Sequence, residues 1–206
     1  MSIRVTVRKL LIASNNAGKA IEFRELLAGS GWDIVAPADI GLTLDVEETG
    51  STYAENARLK AEAFCAASGL ASLADDSGLE VDALNGEPGA LHHIRGWDGA
   101  NQEERITILL RALKDVPEGQ RTARFRAVIV VATPEGGRFQ AEGACEGVIA
   151  FAPAGTGGFG YDPVFYLPER GKMMAELTAS EKNQVSHRGR AAALMCERLA
   201  ALATAT

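Results

Sequence analysis

Asp75 and Asp76 stand side by side after the apolar run 70–74, and Ser77-Gly78 follow them. Paired carboxylates at the end of a strand are unfavourable unless solvent or a cation holds them. Hard oxygen ligands at such a junction suit Mg²⁺, which takes one or two carboxylates and fills its other positions with water and substrate phosphates. Successive side chains of an extended segment point opposite ways. One aspartate of the pair is therefore expected to ligate and the other to support. The structural alternative is a plain Asp-Ser-Gly turn.

Three further clusters break the apolar pattern. Ser14-Asn15-Asn16-Ala17-Gly18-Lys19 joins an expected strand to an expected helix. Unpaired N–H groups and the positive dipole end of a helix suit a phosphate there, and Lys19 adds a charge. The Walker A spacing is absent, so an Asn-rich turn capping a helix stays open as the other reading. Glu47-Glu48-Thr49-Gly50 precede a helix whose Asn56 and Lys60 are i and i+4 and share a face, while Glu55 fits a capping box with Thr52. A solvated acidic loop before a surface helix explains this stretch equally. The last cluster is split. Its first part, Gly155 to Pro163, surrounds Phe159 and Tyr161 with glycines, which lets backbone approach a ligand and offers a ring to stack on a base. Its second part, Lys182-Asn183 and Ser186-His187-Arg188, brings cations that could join Lys19 around a polyphosphate. Wide turns and a capping histidine are the structural alternatives.

Taken jointly, helix N-termini, cations, carboxylates and a glycine-aromatic loop describe a nucleotide polyphosphate with Mg²⁺. No Cys-His or Ser-His-Asp arrangement offers a covalent nucleophile, so a metal-activated water is the natural attacking group.

The elements that must position these residues are legible in outline. Strands are expected at 7–14, 33–35, 42–46 and 70–74, a long one at 121–132, and a return strand at 138–151 after the Pro134 to Gly137 turn. Helices are expected at 19–28, with Ile21, Phe23, Leu26 and Leu27 apolar; at 52–67, stopped by Gly69; from 101 toward Pro117, with Ile106, Leu109, Leu110 and Leu113 on one face; and at 187–203, with Ala191, Leu194, Met195, Leu199 and Leu202 inward. Intermixed strands and helices with one long hairpin imply an α/β fold with a mixed sheet.

Composition narrows the function classes. The chain has 206 residues, one domain's worth, and 47% hydrophobic residues, which excludes a disordered chain. A formal net charge of −6 argues against a protein that coats nucleic acid. The longest apolar run, 127–132, is far short of the roughly 20 residues a spanning helix needs, so no membrane partner is expected. Cys65, Cys145 and Cys196 suggest neither a disulfide framework nor a metal site, and the expected compartment is the cytoplasm.

The segments SNNAGK (14–19), EETGSTYAENARLKA (47–61), ADDSGLEVDALNGEPG (74–89), GTGGFGYDPVF (155–165) and KNQVSHRGRA (182–191) closely resemble the inosine triphosphate pyrophosphatase family, in order and over nearly the whole chain. The resemblance implies a single domain over 1–206: a long mixed β-sheet flanked by helices, in two lobes with an active-site cleft between them. It implies a homodimer and Mg²⁺-dependent cleavage of dITP, ITP and XTP to the monophosphate and pyrophosphate. It carries roles position by position. Ser14, Asn15, Asn16, Ala17, Gly18 and Lys19 match the triphosphate loop, and Lys60 a phosphate-facing lysine. Glu48 and Asp76 match metal ligands; Asp76 also matches the acceptor of the water's proton, with Asp75 supporting it. Ser77, Phe159, Gly160, Tyr161, Asp162, Lys182, His187 and Arg188 match substrate contacts, with Phe159 as stacking ring and His187 and Arg188 reading the 6-oxo edge of a purine. One stretch departs from the family pattern: Ala90-Leu91-His92-His93-Ile94-Arg95-Gly96 places Ile94 where the family has arginine. His92 and His93 lack a matching third ligand and read as structural. The rival functions are a pyrophosphatase for modified pyrimidine triphosphates and a non-catalytic purine nucleotide-binding protein.

Overall fold

The computed structural model describes residues 8–90 and 101–204. The expected departure at Leu91 to Gly96 lies outside the described residues.

β1 (Arg8–Ile12) buries its last three residues and runs parallel to β2 (Trp32–Val35), with Leu10 opposite Ile34. The crossover is α1 (Ala17–Leu26), capped at its start by Asn16, whose side chain accepts the Lys19 N–H. β1 is also parallel to β3 (Ala71–Val81), with Leu10 opposite Ala71. α2 (Tyr53–Ser68) leads into β3. A Thr52/Glu55 capping box opens it and Gly69, at φ +68°, closes it in the left-handed conformation that glycine adopts without strain.

β4 (Thr122–Ala132) and β5 (Arg138–Ile149) form the long hairpin. The Thr133 N–H bonds to Gly137 at one end, and the Ile149 N–H to Arg121 at the other, so the pair is antiparallel. Short β6 (Phe165–Leu167) and β7 (Lys172–Met173) extend the sheet antiparallel. Among the described residues the sheet has seven strands in the order β2-β1-β3-β4-β5-β6-β7 and is mixed, as expected. The remaining helices are α3 (Gln102–Ala112), α4 (Ala179–Val185) and α5 (His187–Thr204).

Several boundaries differ from expectation. Residues 42–46 form no strand: 42–50 is irregular, and the Leu44 carbonyl is taken by the Asn15 side chain rather than by a sheet neighbour. β3 does not end at the aspartates but runs through them to Val81. Helix α3 ends at Ala112, five residues before Pro117, with Leu113 as its C-cap. Ile21 and Leu194 were expected inward yet are 57% and 50% exposed. On α5 the buried arc runs through Ala191, Ala192, Met195 and Leu199, and Leu194 lies off its edge.

The chain forms two compact units. The first comprises residues 8–76, 127–143 and 190–204; the second comprises 77–90, 101–126 and 144–189. Each has its own core. Leu10, Ile12, Phe23, Leu73, Ile129, Met195 and Leu199 fill the first. Leu79, Val81, Leu109, Leu113, Phe125, Phe165 and Met174 fill the second. In the second unit a buried arginine is a tie-point. Arg121 donates from Nε to Ile149 (2.8 Å), from Nη1 to Leu113 (2.7 Å) and from Nη2 to Ala150 (3.0 Å), all backbone carbonyls, and its guanidinium lies 4.3 Å from the Phe151 ring centre. A planar fork of donors can satisfy several carbonyls at once, including the outgoing carbonyls after α3.

Candidate active site

The acidic pair sits in mid-strand on β3, and the pleat sends its members to different partners. Asp75 pairs with Lys19 of α1 at 3.0 Å. Asp76 meets α2: its Oδ1 lies 3.4 Å from Lys60 Nζ, and its Oδ2 accepts from Asn56 Nδ2 at 3.3 Å. Both carboxylates are almost completely buried, at 4% and 2% exposure. Burying two charges is tolerable only with such pairing.

Lys60 Nζ also lies 3.1 Å from Glu48 Oε1, so one ammonium bridges the carboxylates of Glu48 and Asp76. Glu48 comes from the irregular segment 42–50. That segment is tied down at Leu44 by Asn15 (3.0 Å) and at Gly50, whose N–H donates to Asn56 Oδ1 at 2.8 Å. Glu55 takes no part, because its carboxylate accepts from the Ser51 and Thr52 N–H groups and the Ser51 hydroxyl.

A divalent cation fits this donor set on chemical grounds. Glu48 and Asp76 already converge on one positive centre, and both offer only hard oxygen. Two carboxylates leave the remaining positions to water and phosphate. Among the described residues no group of three or more His, Cys, Asp or Glu is arranged to hold a metal by itself.

Ser14 to Lys19 form the turn into α1. The Ser14 hydroxyl accepts the Asn16 N–H at 3.2 Å, and Asn16 Oδ1 accepts the Lys19 N–H at 3.1 Å. These contacts shape the turn while Asn15, Asn16, Ala17 and Gly18 stay exposed at the start of the helix.

The second unit holds a pocket of about 130 Å³ lined by Ser77, Gly78, Leu79, Pro88, Phe125, Phe159, Gly160, Tyr161, Asp162, His187 and Arg188. Phe159, 38% exposed, has Lys182 Nζ 4.6 Å and Arg188 Cζ 5.0 Å from its ring centre. Cations over a ring face are attracted by its quadrupole. Asp162 organises the loop: one oxygen accepts Lys182 Nζ at 2.6 Å and the Phe159 N–H at 2.9 Å. Gly158, at φ +72°, could not carry a Cβ without overlapping that carboxylate. Arg188 Nη2 donates to Ser77 Oγ at 2.7 Å, and the His187 ring stacks on Phe125 at 4.9 Å. Burial pushes the Tyr161 hydroxyl well above its ordinary pKa, with Arg105 opposing slightly, so it remains a neutral phenol at physiological pH. The cap of α5 is Ser186, which accepts the Gly189 N–H at 3.0 Å, and this leaves the His187 ring to the pocket.

Sequence comparison places the chain among known proteins. The sequence model of the Ham1 family matches residues 10–198. The chain belongs to the Ham1 family. This Ham1 chain is 51% identical over 185 residues to the dITP/XTP pyrophosphatase of Geobacillus kaustophilus, covering 90% of this chain and 91% of that protein. It is 48% identical over 198 residues to the dITP/XTP pyrophosphatase of Symbiobacterium thermophilum, covering 95% and 96%. Among solved structures, the HAM1 protein of Coxiella burnetii superposes with a TM-score of 0.84 at 38% identity, over 94% of this chain and 98% of that one. The nucleoside-triphosphatase / dITP/XTP pyrophosphatase of Mycobacterium abscessus does so with a TM-score of 0.71 at 42% identity, over 91% and 98%.

Within the Ham1 chain, the expected residues fall into two groups. Lys19, Glu48, Lys60, Asp75 and Asp76 gather in the first unit, and Ser77, Phe159 to Asp162, His187 and Arg188 around the pocket of the second. Lys182 belongs with the latter, tied to Asp162. Asn56 was noted only as sharing a face with Lys60. Its burial signals more, because a buried amide must find partners.

Proposed function

We propose that this chain hydrolyses non-standard purine nucleoside triphosphates, dITP, XTP and ITP, to the monophosphate and pyrophosphate. The observation that carries this reading is the convergence of Glu48 and Asp76 on one cationic centre, with Lys19 paired to the adjacent Asp75. Ham1 membership implies a divalent cation, and we assign Mg²⁺ from the hard-oxygen donor set. Bound there, it would lower the pKa of a water and neutralise phosphate charge.

The chain's own residues do the rest. Asp76 accepts the proton of the water that attacks the α-phosphorus, held in aim by Asn56 and Lys60. Asp75 keeps Lys19 over the turn whose amides receive the phosphates. Lys19 and Lys60 offset charge on the departing pyrophosphate. For the base, Phe159 stacks, and Lys182, His187 and Arg188 supply donors for a 6-oxo edge. Lys182, tied to Asp162 beside Phe159, fits this role better than the one first expected of it, neutralising the polyphosphate. An adenine amino group would face donors with a donor, which loses orders of magnitude in discrimination.

The whole chain acts as one catalytic domain, in our reading as a homodimer and in the cytoplasm. Cys65, Cys145 and Cys196 form no disulfide among the described residues. No helix among the described residues is long and apolar enough to cross a membrane.

The test is pyrophosphate release across dITP, XTP, ITP, dATP, dGTP and modified pyrimidine triphosphates. Release from the first three that requires a divalent cation is the expected result. A preference for pyrimidines, or dITP binding without pyrophosphate release, would replace this reading with one of its rivals.

A further inference from the structure

Asn56 occupies the first turn of α2, 1% exposed, and both ends of its amide are used. Oδ1 accepts the Gly50 N–H at 2.8 Å, and Nδ2 donates to Asp76 Oδ2 at 3.3 Å. The orientation of the amide follows from these partners. A flipped group would set Nδ2 against an N–H donor and Oδ1 against a carboxylate, both repulsive. An amide both donates to the carboxylate and accepts from the backbone at this position, whereas aspartate and leucine each lose at least one bond.

The Gly50 end of this bridge sits two residues beyond Glu48 on an irregular segment that has no sheet ladder to fix it. Gly50 itself approaches so closely that a Cβ there would lie 2.6 Å from Asn56 Oδ1 and 2.6 Å from the Glu55 Cβ. The Asp76 end sits on β3. One buried side chain therefore joins the backbone beside one carboxylate directly to the other carboxylate.

We propose that Asn56 is a positioning residue that sets the separation of Glu48 and Asp76, and so the affinity of the pair for a divalent cation. The inference rests on the reading of those two residues as cation ligands. Outer groups that orient metal ligands typically change metal affinity by about 10–100-fold when removed. Lys60 neutralises the pair by charge, whereas Asn56 aligns it through directed bonds.

Mn²⁺ alone, titrated into the full chain and followed by the electron paramagnetic resonance signal of the free ion, tests this without turnover. Asn56→Ala should weaken Mn²⁺ binding about tenfold or more. It should raise by a similar factor the Mg²⁺ concentration giving half-maximal pyrophosphate release from dITP. Thr52→Ala removes the cap of the same helix but leaves both Asn56 bonds in place, and should leave Mn²⁺ binding within about twofold, since cap loss lowers helix stability and not ligand aim. Gly50→Ala presses on the bridge from its backbone end and should weaken Mn²⁺ binding as Asn56→Ala does. It carries the test alone if Asn56→Ala does not fold. Folded Asn56→Ala with wild-type Mn²⁺ affinity, or Gly50→Ala with wild-type affinity, overturns the proposal. If Glu48→Gln and Asp76→Asn bind Mn²⁺ as well as wild type, the ligand assignment itself falls.

Discussion

Asp75 and Asp76 are the same residue type in consecutive positions, and their partners give them different consequences on substitution. Asp76 meets Lys60 and Asn56, and in the proposed role of proton acceptor and cation ligand Asp76→Asn should lower kcat by about 10²–10⁴-fold, more than it raises KM for dITP. Asp75 acts through Lys19, and Asp75→Asn should raise KM for dITP more than it lowers kcat. Steady-state kinetics on both variants separates the two roles. In the second unit, Gly158→Ala forces Asp162 away from Lys182. A lost charge-assisted hydrogen bond is worth about 1.5–3 kcal/mol, so KM should rise roughly 10–100-fold while Mn²⁺ binding in the first unit is untouched. The opposed partners of Asp75 and Asp76 were legible in sequence, since strand alternation demands them. The burial of Asn56 and Asp162 was not, because a polar residue's partners in distant segments leave no local trace.

Elements whose chemistry is local were the readable ones. The Thr52/Glu55 box, the Gly69 stop and the helix start at Asn101 each follow from groups within four residues of one another. By contrast, α4 has seven residues and no apolar stripe, and β6 and β7 have three and two, too few for a period to register. The absent strand at 42–46 is the complementary error: alternation was present, but a strand also needs a partner edge. Two predictions belong here. Hydrogen bonds from Ser51 and Thr52 hold the Glu55 carboxyl below its usual value of 4.5. A lowered folded pKa stabilises above the unfolded pKa and is lost as pH falls. Thermal melts should therefore show wild type above Glu55→Gln at pH 7, with the gap closing on acidification below about 4.5. Arg121 joins the end of α3 to the end of β5 through carbonyls that would be left without donors. Arg121→Leu should destabilise by about 3 kcal/mol, and urea unfolding measures it.

For the whole molecule, an acidic chain of −6 that handles a polyanion must concentrate its cations locally. Lys19 and Lys60 do so in the first unit, each already seated on a carboxylate, while Lys182 and Arg188 flank the Phe159 ring in the second. Each unit has its own core, and β3 carries Asp75 and Asp76 of one and Ser77 of the other on consecutive residues. The mixed α/β class was evident from the order of the elements. Apolar patterning does not mark the division into two units, because β3, β4 and β5 each run through both without a break; an expectation of two lobes came from the family resemblance alone. The most direct measurement is pyrophosphate release from dITP by wild type and Asp76→Asn, each with Mg²⁺ and with chelator. Wild type with Mg²⁺ should turn over, and the other three conditions should fall by orders of magnitude. Equal turnover by Asp76→Asn, or undiminished release in chelator, would contradict the placement of the chemistry at Glu48 and Asp76.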